Sequence, residues 1–140
     1  MRLMLDLNVL LDIVQRREPF YEASAGVLSR VVGSEDSGYL PSHGITTLHY
    51  IIQRFSGREQ ADGFVDWLLS HLEIAAQEKA QFIRARSLSM PDFEDAAVAS
   101  AAEFSQCDVI ISRNVADFEG SPVQAMTPEE FLAAVAERKT

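Results

Sequence analysis

The first twelve residues place a short apolar run directly before an acid and then a helix. Leu3, Met4 and Leu5 form an uninterrupted apolar run, which predicts a strand buried on both faces of a parallel sheet. The run ends at Asp6, and from Asn8 onward the apolar spacing becomes helical. Open α/β sheets bind their ligands at the carboxyl edge of the strands. We therefore expect Asp6 at that edge, in a site whose other members lie elsewhere in the chain.

Length and composition are those of an ordinary globular protein. The 140 residues predict one domain over residues 1–140, and 47% hydrophobic with 24% charged residues allow a well-buried core. No apolar run approaches the roughly 20 residues of a membrane span, and the first residues lack the pattern of a signal peptide. The lone Cys107 excludes an intrachain disulfide and a cysteine-built metal site. We therefore expect a cytoplasmic protein without a membrane partner.

The net charge of −9 bears on nucleic-acid binding. Long-range attraction to a phosphate backbone would have the wrong sign, which excludes a general nucleic-acid coat. A local basic patch, or metal ions held by clustered carboxylates, could still bind nucleic acid, and solubility alone also explains the acidity. The arginines that could guide a phosphate backbone are Arg16, Arg17, Arg54, Arg58 and Arg113.

Short apolar runs alternate with helical patterns along the chain. This alternation predicts βαβ units and an α/β fold of three layers, α/β/α, with a central parallel sheet of about five short strands. The predicted strands cover residues 3–5, 39–40, 73–76, 109–111 and 123–126. The predicted helices cover residues 8–14, 20–32, 42–55, 58–72, 77–88, 92–105 and 128–137. Thr127 and Glu130 form the capping box that begins the last of these helices.

Three acids fall at the ends of predicted elements. Asp6 follows the first strand, Asp95 lies one turn into the sixth helix, and Asp117 follows the fourth strand. If the first and fourth strands are neighbours, these acids can meet at one edge of the sheet. Each acid also has a structural interpretation, because Asp6 and Asp92 can be helix N-caps. Asp95 can complete a capping box, Asp117 can cap a loop, and Asp12 is expected to be solvated or to support a ligand.

Carboxylates that converge on one spot repel each other and need a neutralising partner. A hard divalent cation such as Mg²⁺ or Mn²⁺ takes oxygen ligands, and the three histidines show no ligand spacing. Mg²⁺ held by carboxylates suits phosphodiester hydrolysis, since it activates water and stabilises charge on the phosphate. A phosphatase with Asp6 as nucleophile is a second possibility. Such enzymes usually carry another Asp two residues on, where this chain has Asn8.

Four segments together resemble PIN-domain proteins. Residues 5–12, LDLNVLLD, resemble the family's opening LDTNVLLD, and residues 93–102, FEDAAVASAA, resemble its central acidic helix. Residues 111–118, ISRNVADF, resemble its TRNxxDF segment, and residues 126–131, MTPEEF, resemble its TPEEF segment. The segments occur in the family's order and span nearly the whole chain.

The resemblance implies a PIN fold and a Mg²⁺- or Mn²⁺-dependent endoribonuclease, most often the VapC-type toxin of a VapBC toxin–antitoxin pair. It also implies an RNA substrate, a homodimer and a cognate antitoxin that inserts into the acidic groove. The positions that match the family's metal site are Asp6, Asp95 and Asp117. Asn114 lies where some members have an Asp and is a further candidate catalytic residue. Asn8 and Ser112 match polar positions beside the ligands.

One departure from the family concerns the helix after the second strand, where many members carry a Glu. Residues 42–52, SHGITTLHYII, contain no acid, and Thr47 or His49 occupies that neighbourhood. With one ligand fewer, we expect weaker metal binding and a single Mg²⁺ held through several waters. A catalytically weak or inactive PIN-like module that binds RNA or a protein partner is therefore the alternative to a nuclease.

Overall fold

Five parallel strands form a single sheet in the computed structural model, which describes residues 1–138. Their order across the sheet is β3–β2–β1–β4–β5, and each neighbouring pair is parallel. The strands are β1 (Arg2–Leu5), β2 (Ser37–Pro41), β3 (Glu73–Ala75), β4 (Val109–Ile111) and β5 (Ala125–Met126). The predicted α/β fold and its five-stranded parallel sheet are confirmed, and the first and fourth strands are neighbours, which is the condition for the acids to meet at one edge.

Seven α-helices flank the sheet within residues 1–138. They are α1 (Leu7–Val14), α2 (Tyr21–Val32), α3 (Ser42–Ser56), α4 (Arg58–His71), α5 (Lys79–Ser87), α6 (Phe93–Phe104) and α7 (Pro128–Arg138). A short 3-10 helix, Val115–Phe118, follows β4 in a segment for which no helix or strand is predicted. None of these helices is long and apolar enough to cross a membrane.

Successive side chains of β1 point to opposite faces of the sheet, and each face has its own part of the hydrophobic core. Leu3 and Leu5 pack into the cluster formed with α1, α2, α3, α4 and α7, whereas Met4 packs with α6 on the other face. All three side chains are fully buried. Helices therefore cover both faces of the sheet, which is the predicted three-layer arrangement.

Several boundaries differ from the prediction because side chains cap the ends of elements. Helix α1 begins at Leu7 rather than Asn8, since the carboxylate of Asp6 accepts the Leu7 N–H. Helix α5 begins at Lys79, two residues later than predicted, after a capping box between Glu78 and Gln81. The last strand is two residues shorter, because the hydroxyl of Ser121 bonds the backbone of Val123 in a turn.

The register of the central strands determines which residues meet at the carboxyl edge. Leu5 of β1 pairs with Ile111 of β4. Asp6, the residue directly after β1, donates its backbone N–H to Ile111 O at 3.0 Å. Asp6 and Ser112 therefore leave two adjacent strands side by side, and the loop after β4 starts beside the first turn of α1.

Candidate active site

Asp6 is fixed by hydrogen bonds to both of its carboxylate oxygens. Oδ1 accepts the Leu7 N–H at 2.8 Å, and Oδ2 accepts the Ser112 hydroxyl at 2.8 Å. Asp6 is only 9% exposed. Burial raises the pKa of Asp6, while the hydrogen bonds from Ser112 and Leu7 act in the opposite direction. The carboxylate is thus both the N-cap of α1 and a charge held in one orientation at the edge of the sheet.

Ser112 and Asn8 connect the loop after β4 to Asp6. The amide of Asn8 lies 3.4 Å from Asp6 Oδ2 and 3.5 Å from Ser112 Oγ. The same Ser112 Oγ accepts the backbone N–H of Asn114 at 3.1 Å. One hydroxyl therefore bonds the acid on one side and the loop on the other.

Asp95 approaches this edge from the first turn of α6. Asp92 is the N-cap of that helix, as its position predicts, and its Oδ1 accepts the Asp95 N–H at 2.9 Å. The half-buried carboxyl of Asp95 has a pKa raised from 3.8 to about 7, first by burial and then by the charges of Asp92, Asp6, Asp117 and Glu94. The charges of Asp6 and Asp117 both act on Asp95, so the three predicted acids lie near one another.

Asn114 and Asp117 lie at the exposed start of the 3-10 helix that follows β4. The backbone N–H of Asp117 donates to Asn114 O at 3.1 Å. The charge of Asp117 contributes to the raised pKa of both Asp6 and Asp95. The structure therefore brings Asp6, Asp95 and Asp117 to the same edge, with Asn114 beside them in the loop.

The three acids have no basic side chain paired with them in the described part of the chain. Within residues 1–138, none of Asp6, Asp95 and Asp117 forms an ion pair with a basic side chain. Carboxylates in this situation are relieved either by taking up a proton or by binding an external cation.

The donor chemistry fits a hydrated divalent cation. Carboxylate, amide and hydroxyl oxygens are the ligands of Mg²⁺ and Mn²⁺, and Mg²⁺ retains several of its waters in proteins. In the described part of the chain, no group of three or more His, Cys, Asp or Glu side chains is arranged so that it could hold a metal ion. The three predicted acids, Asp6, Asp95 and Asp117, offer oxygen donors of this kind, and that they bind such a cation together stays a prediction.

Helix α3 contributes no acid to the edge. Thr47 and His49, which lie where a Glu is expected, make contacts elsewhere. Thr47 is exposed, with its hydroxyl bonded to His43 O, and His49 Nε2 lies 2.7 Å from Asp62 Oδ1 on α4. Neither residue replaces the Glu that many family members carry. The first turn of α3 is instead tied to Gln77, whose Oε1 accepts the His43 N–H at 2.9 Å.

Sequence reasoning missed two residues near the edge. Glu94 raises the pKa of Asp6 more strongly than Asp117 does, although it was not among the predicted site residues. Its position between Asp92 and Asp95 in the first helical turn was the available signal. Gln77 was placed in a helix, yet its amide joins the start of α3 to Ala97 O of α6 at 3.2 Å; this bridge has no sequence signature.

The five candidate arginines all face partners within the protein. Arg16 and Arg54 stack on Tyr21 and Tyr50, and Arg58 pairs with Asp62 at 3.7 Å. The guanidinium groups of Arg17 and Arg113 both approach Asp12.

Ser112→Ala is expected to destabilise the protein by about 1–3 kcal/mol, because it leaves the buried Asp6 Oδ2 without its best donor. The pKa of Asp6 should also rise further, since the Ser112 hydrogen bond lowers it. Urea unfolding at pH 7 measures the loss. Ser70→Ala is the matched control, because the exposed Ser70 hydroxyl bonds only its own helix, at Asp66 O. Equal stabilities of the two variants would contradict the role given to Ser112.

Comparison with known proteins places this architecture in a family. A family model described as PIN domain matches residues 2–116, a span that includes Asp6 and Asp95 and ends one residue before Asp117. No curated protein sequence matches the chain significantly.

Solved structures with the same fold come from toxin–antitoxin complexes. A chain of VapBC2 from Rickettsia felis, bound to promoter DNA, has TM-score 0.71 and 18% identity, covering 91% of this chain and 98% of that one. DNA-bound VapBC from Salmonella typhimurium gives TM-score 0.69 and 16% identity, covering 91% and 98%. A toxin–antitoxin complex from Klebsiella pneumoniae gives TM-score 0.67 and 17% identity, covering 89% and 96%. At these identities the likeness concerns the fold.

The family match and the fold agree over most of the chain. The matched residues extend from β1 into the 3-10 helix after β4, so they include four of the five strands of the sheet. Three of the four sequence segments that resemble PIN-domain proteins lie on elements at the acidic edge, and the fourth lies on β5 and α7. The chain therefore belongs to the PIN-domain family.

Proposed function

We propose that this PIN domain is a Mg²⁺- or Mn²⁺-dependent endoribonuclease that hydrolyses RNA phosphodiester bonds. PIN-domain proteins are typically nucleases and generally use divalent metals. The observation that supports the proposal most strongly is the group of carboxylates without a cationic partner at the carboxyl edge of the sheet. Asp95, with its pKa raised to about 7, belongs to this group.

The residues of the site have separate tasks in this proposal. Ser112 and the Leu7 N–H keep Asp6 aimed at the edge, and Asp92 holds the first turn of α6 so that Asp95 faces the same region. When bound, a divalent cation supplies an activated water and positive charge near the scissile phosphate. Both Asp6 oxygens accept hydrogen bonds, which hold the carboxylate in one orientation for binding a cation. Asn114, in the loop after β4, would join the three acids in holding the metal.

Cleavage of end-labelled RNA tests the proposal directly. The purified protein should cleave single-stranded RNA with Mn²⁺ or Mg²⁺ present and should lose this activity when EDTA removes the metal. Activity should return when Mn²⁺ is restored in excess. Cleavage that persists in EDTA would contradict the metal-dependent chemistry.

A non-catalytic PIN-like module is the second candidate. The observation that favours it is α3, which lacks an acid at the edge and uses His49 to contact α4 instead. Such a module would bind RNA with the same affinity in Mn²⁺ and in EDTA and would leave the RNA intact. Absence of cleavage together with RNA retention on a filter would support the module over the nuclease.

We also propose that the protein acts as a toxin, forms a homodimer and is neutralised by a cognate antitoxin. Several structures that share its fold are toxin–antitoxin complexes. Expression in a bacterial host should arrest growth, and co-expression of a small protein encoded immediately upstream should restore it. Growth unaffected by an active nuclease would argue against the toxin role while leaving the enzymatic proposal intact. The mass of the purified protein by light scattering tests the dimer.

A further inference from the structure

Asp12 is a buried carboxylate that the proposed reaction does not use. It lies on α1, is 1% exposed, and neither of its oxygens has a hydrogen-bond partner. Two arginines provide its only ion-pair contacts within residues 1–138, with Arg113 Nε 3.4 Å from Oδ2 and Arg17 NH1 3.9 Å from Oδ1. Because burying a charge is costly unless it is compensated, this arrangement requires an arginine to remain beside Asp12.

Arg113 is held against α1 at both its backbone and its side chain. Its backbone N–H lies 3.3 Å from Asn8 Oδ1, and its guanidinium lies 4.4 Å from the centre of the Phe20 ring. Asn8 and Asp12 are four residues apart, so they lie on the same face of α1. The guanidinium is thus fixed between a ring and a buried carboxylate, and its Nε is itself buried.

Arg113 also belongs to the loop that carries part of the acidic site. Ser112, the residue before it, donates to Asp6, and Asn114, the residue after it, donates its N–H to Ser112 Oγ. Asn114 O in turn accepts the N–H of Asp117 at 3.1 Å. A shift of Arg113 therefore moves the segment from Ser112 to Asp117.

We propose that Asp12 is a positioning residue, which holds Arg113 against α1 and thereby places Asn114 and Asp117 relative to Asp6. In this proposal Arg113 fixes the position of the loop from Ser112 to Asp117 and does not contact the RNA backbone. The consequence for metal binding rests on the proposed function, whereas the placement of the loop does not.

Two variants and one matched control test the inference. Asp12→Asn removes the buried charge with almost no change in shape, and Arg113→Met keeps the length of the side chain but removes its charge. Asp36→Asn is the control, because Asp36 is 6% exposed and pairs with Arg30 at 2.7 Å, but it precedes β2 at the opposite end of the sheet. All three variants lose a buried ion pair, so general loss of stability affects them alike.

Amide hydrogen exchange of the metal-free protein, followed by NMR, is the first measurement. Exchange at Asn114 and Asp117 should accelerate about tenfold or more in Asp12→Asn and in Arg113→Met, because loss of a buried interaction of this kind weakens local order. The same amides should exchange at the wild-type rate in Asp36→Asn. Unchanged exchange in the first two variants, or equal acceleration in the control, would overturn the inference.

Mn²⁺ titration by calorimetry is the second measurement. Residues that orient metal ligands typically change affinity by about 10- to 100-fold, and we expect weakening in this range for both Asp12→Asn and Arg113→Met. Arg113→Met distinguishes the effect of a displaced loop from the effect of the lost charge. Removing a cation beside an acidic site would by itself tighten Mn²⁺ binding, whereas displacing the loop weakens it. Tighter binding in Arg113→Met would contradict positioning. Failure of the wild-type protein to bind Mn²⁺, with exchange still accelerated in the variants, would reject the proposed metal site and retain the role of Asp12 in the loop.

Discussion

Asp6→Asn is expected to abolish metal-dependent RNA cleavage while leaving the metal-free protein as stable as wild type or more stable. A bound metal contributes several kcal/mol to hydrolysis, and every 1.4 kcal/mol is a factor of ten, so the rate should fall by about a thousandfold or more. The N-cap is kept, because Asn caps a helix as well as Asp. The new side-chain amide can donate to Ser112 Oγ, which now donates to Asp6 Oδ2, so we expect no net loss of stability. The substitution also removes a carboxylate whose ionised form is disfavoured by burial.

Cleavage rates in Mn²⁺ and thermal unfolding in EDTA measure these two effects on the same preparations. Asp66→Asn is the matched control, because it makes the same chemical change at an exposed position of α4. Cleavage by Asp6→Asn at more than a tenth of the wild-type rate would exclude Asp6 as a metal ligand. A large loss of stability in Asp6→Asn would show that its role is chiefly structural.

Asp95→Asn is expected to stabilise the metal-free protein at pH 8 and to have no such effect at pH 4. The pKa of Asp95 is raised to about 7 in the folded protein, first by burial and then by neighbouring acids, from an ordinary value of 3.8. The ionised carboxyl therefore costs folding free energy above about pH 4, and the cost is complete above pH 7. A shift of this size corresponds to about 4 kcal/mol, which solvent screening of the partly exposed side chain reduces to about 1–2 kcal/mol.

Thermal unfolding in EDTA at pH 4, 6 and 8 measures the effect of this substitution. The midpoint of Asp95→Asn should exceed that of wild type by about 3–10 °C at pH 8, and the difference should vanish at the lowest pH. Mn²⁺ binding by the wild type should weaken as the pH falls below 7, because the metal must displace the proton. A pH-independent difference in midpoint would contradict the raised pKa.

Local signals in the sequence predicted much of the architecture. Apolar runs of three residues located β1 and β4, and the pattern Thr127 to Glu130 located α7, whose capping box forms with both expected hydrogen bonds. These features depend on residues close together in the chain. The pairing of β1 with β4 was only a condition of the sequence argument, and where the structure meets that condition Asp6 and Ser112 lie together.

The remaining differences arise from contacts between distant residues. Asp12 was expected to be solvated or to support a ligand, and its 1% exposure shows that it is not solvated. Its ion pair with Arg113 joins residues about a hundred positions apart, which no local pattern reveals. Strand β2 begins at Ser37, earlier than predicted, because Ser37 and Gly38 pair with β1 despite their weak strand preference. Glu94 raises the pKa of Asp6 because α6 packs over the sheet and brings the two residues close together.

Diffraction at a wavelength that gives anomalous signal from manganese, on crystals soaked in Mn²⁺, shows whether the three acids hold a metal ion. One anomalous peak should lie between Asp6, Asp95 and Asp117, with water among its ligands, and it should be absent from crystals of Asp6→Asn. Two peaks at this edge would contradict the single-metal site expected from the acid-free α3. No peak there at Mn²⁺ concentrations that support RNA cleavage would contradict the proposed metal site and the nuclease mechanism built on it.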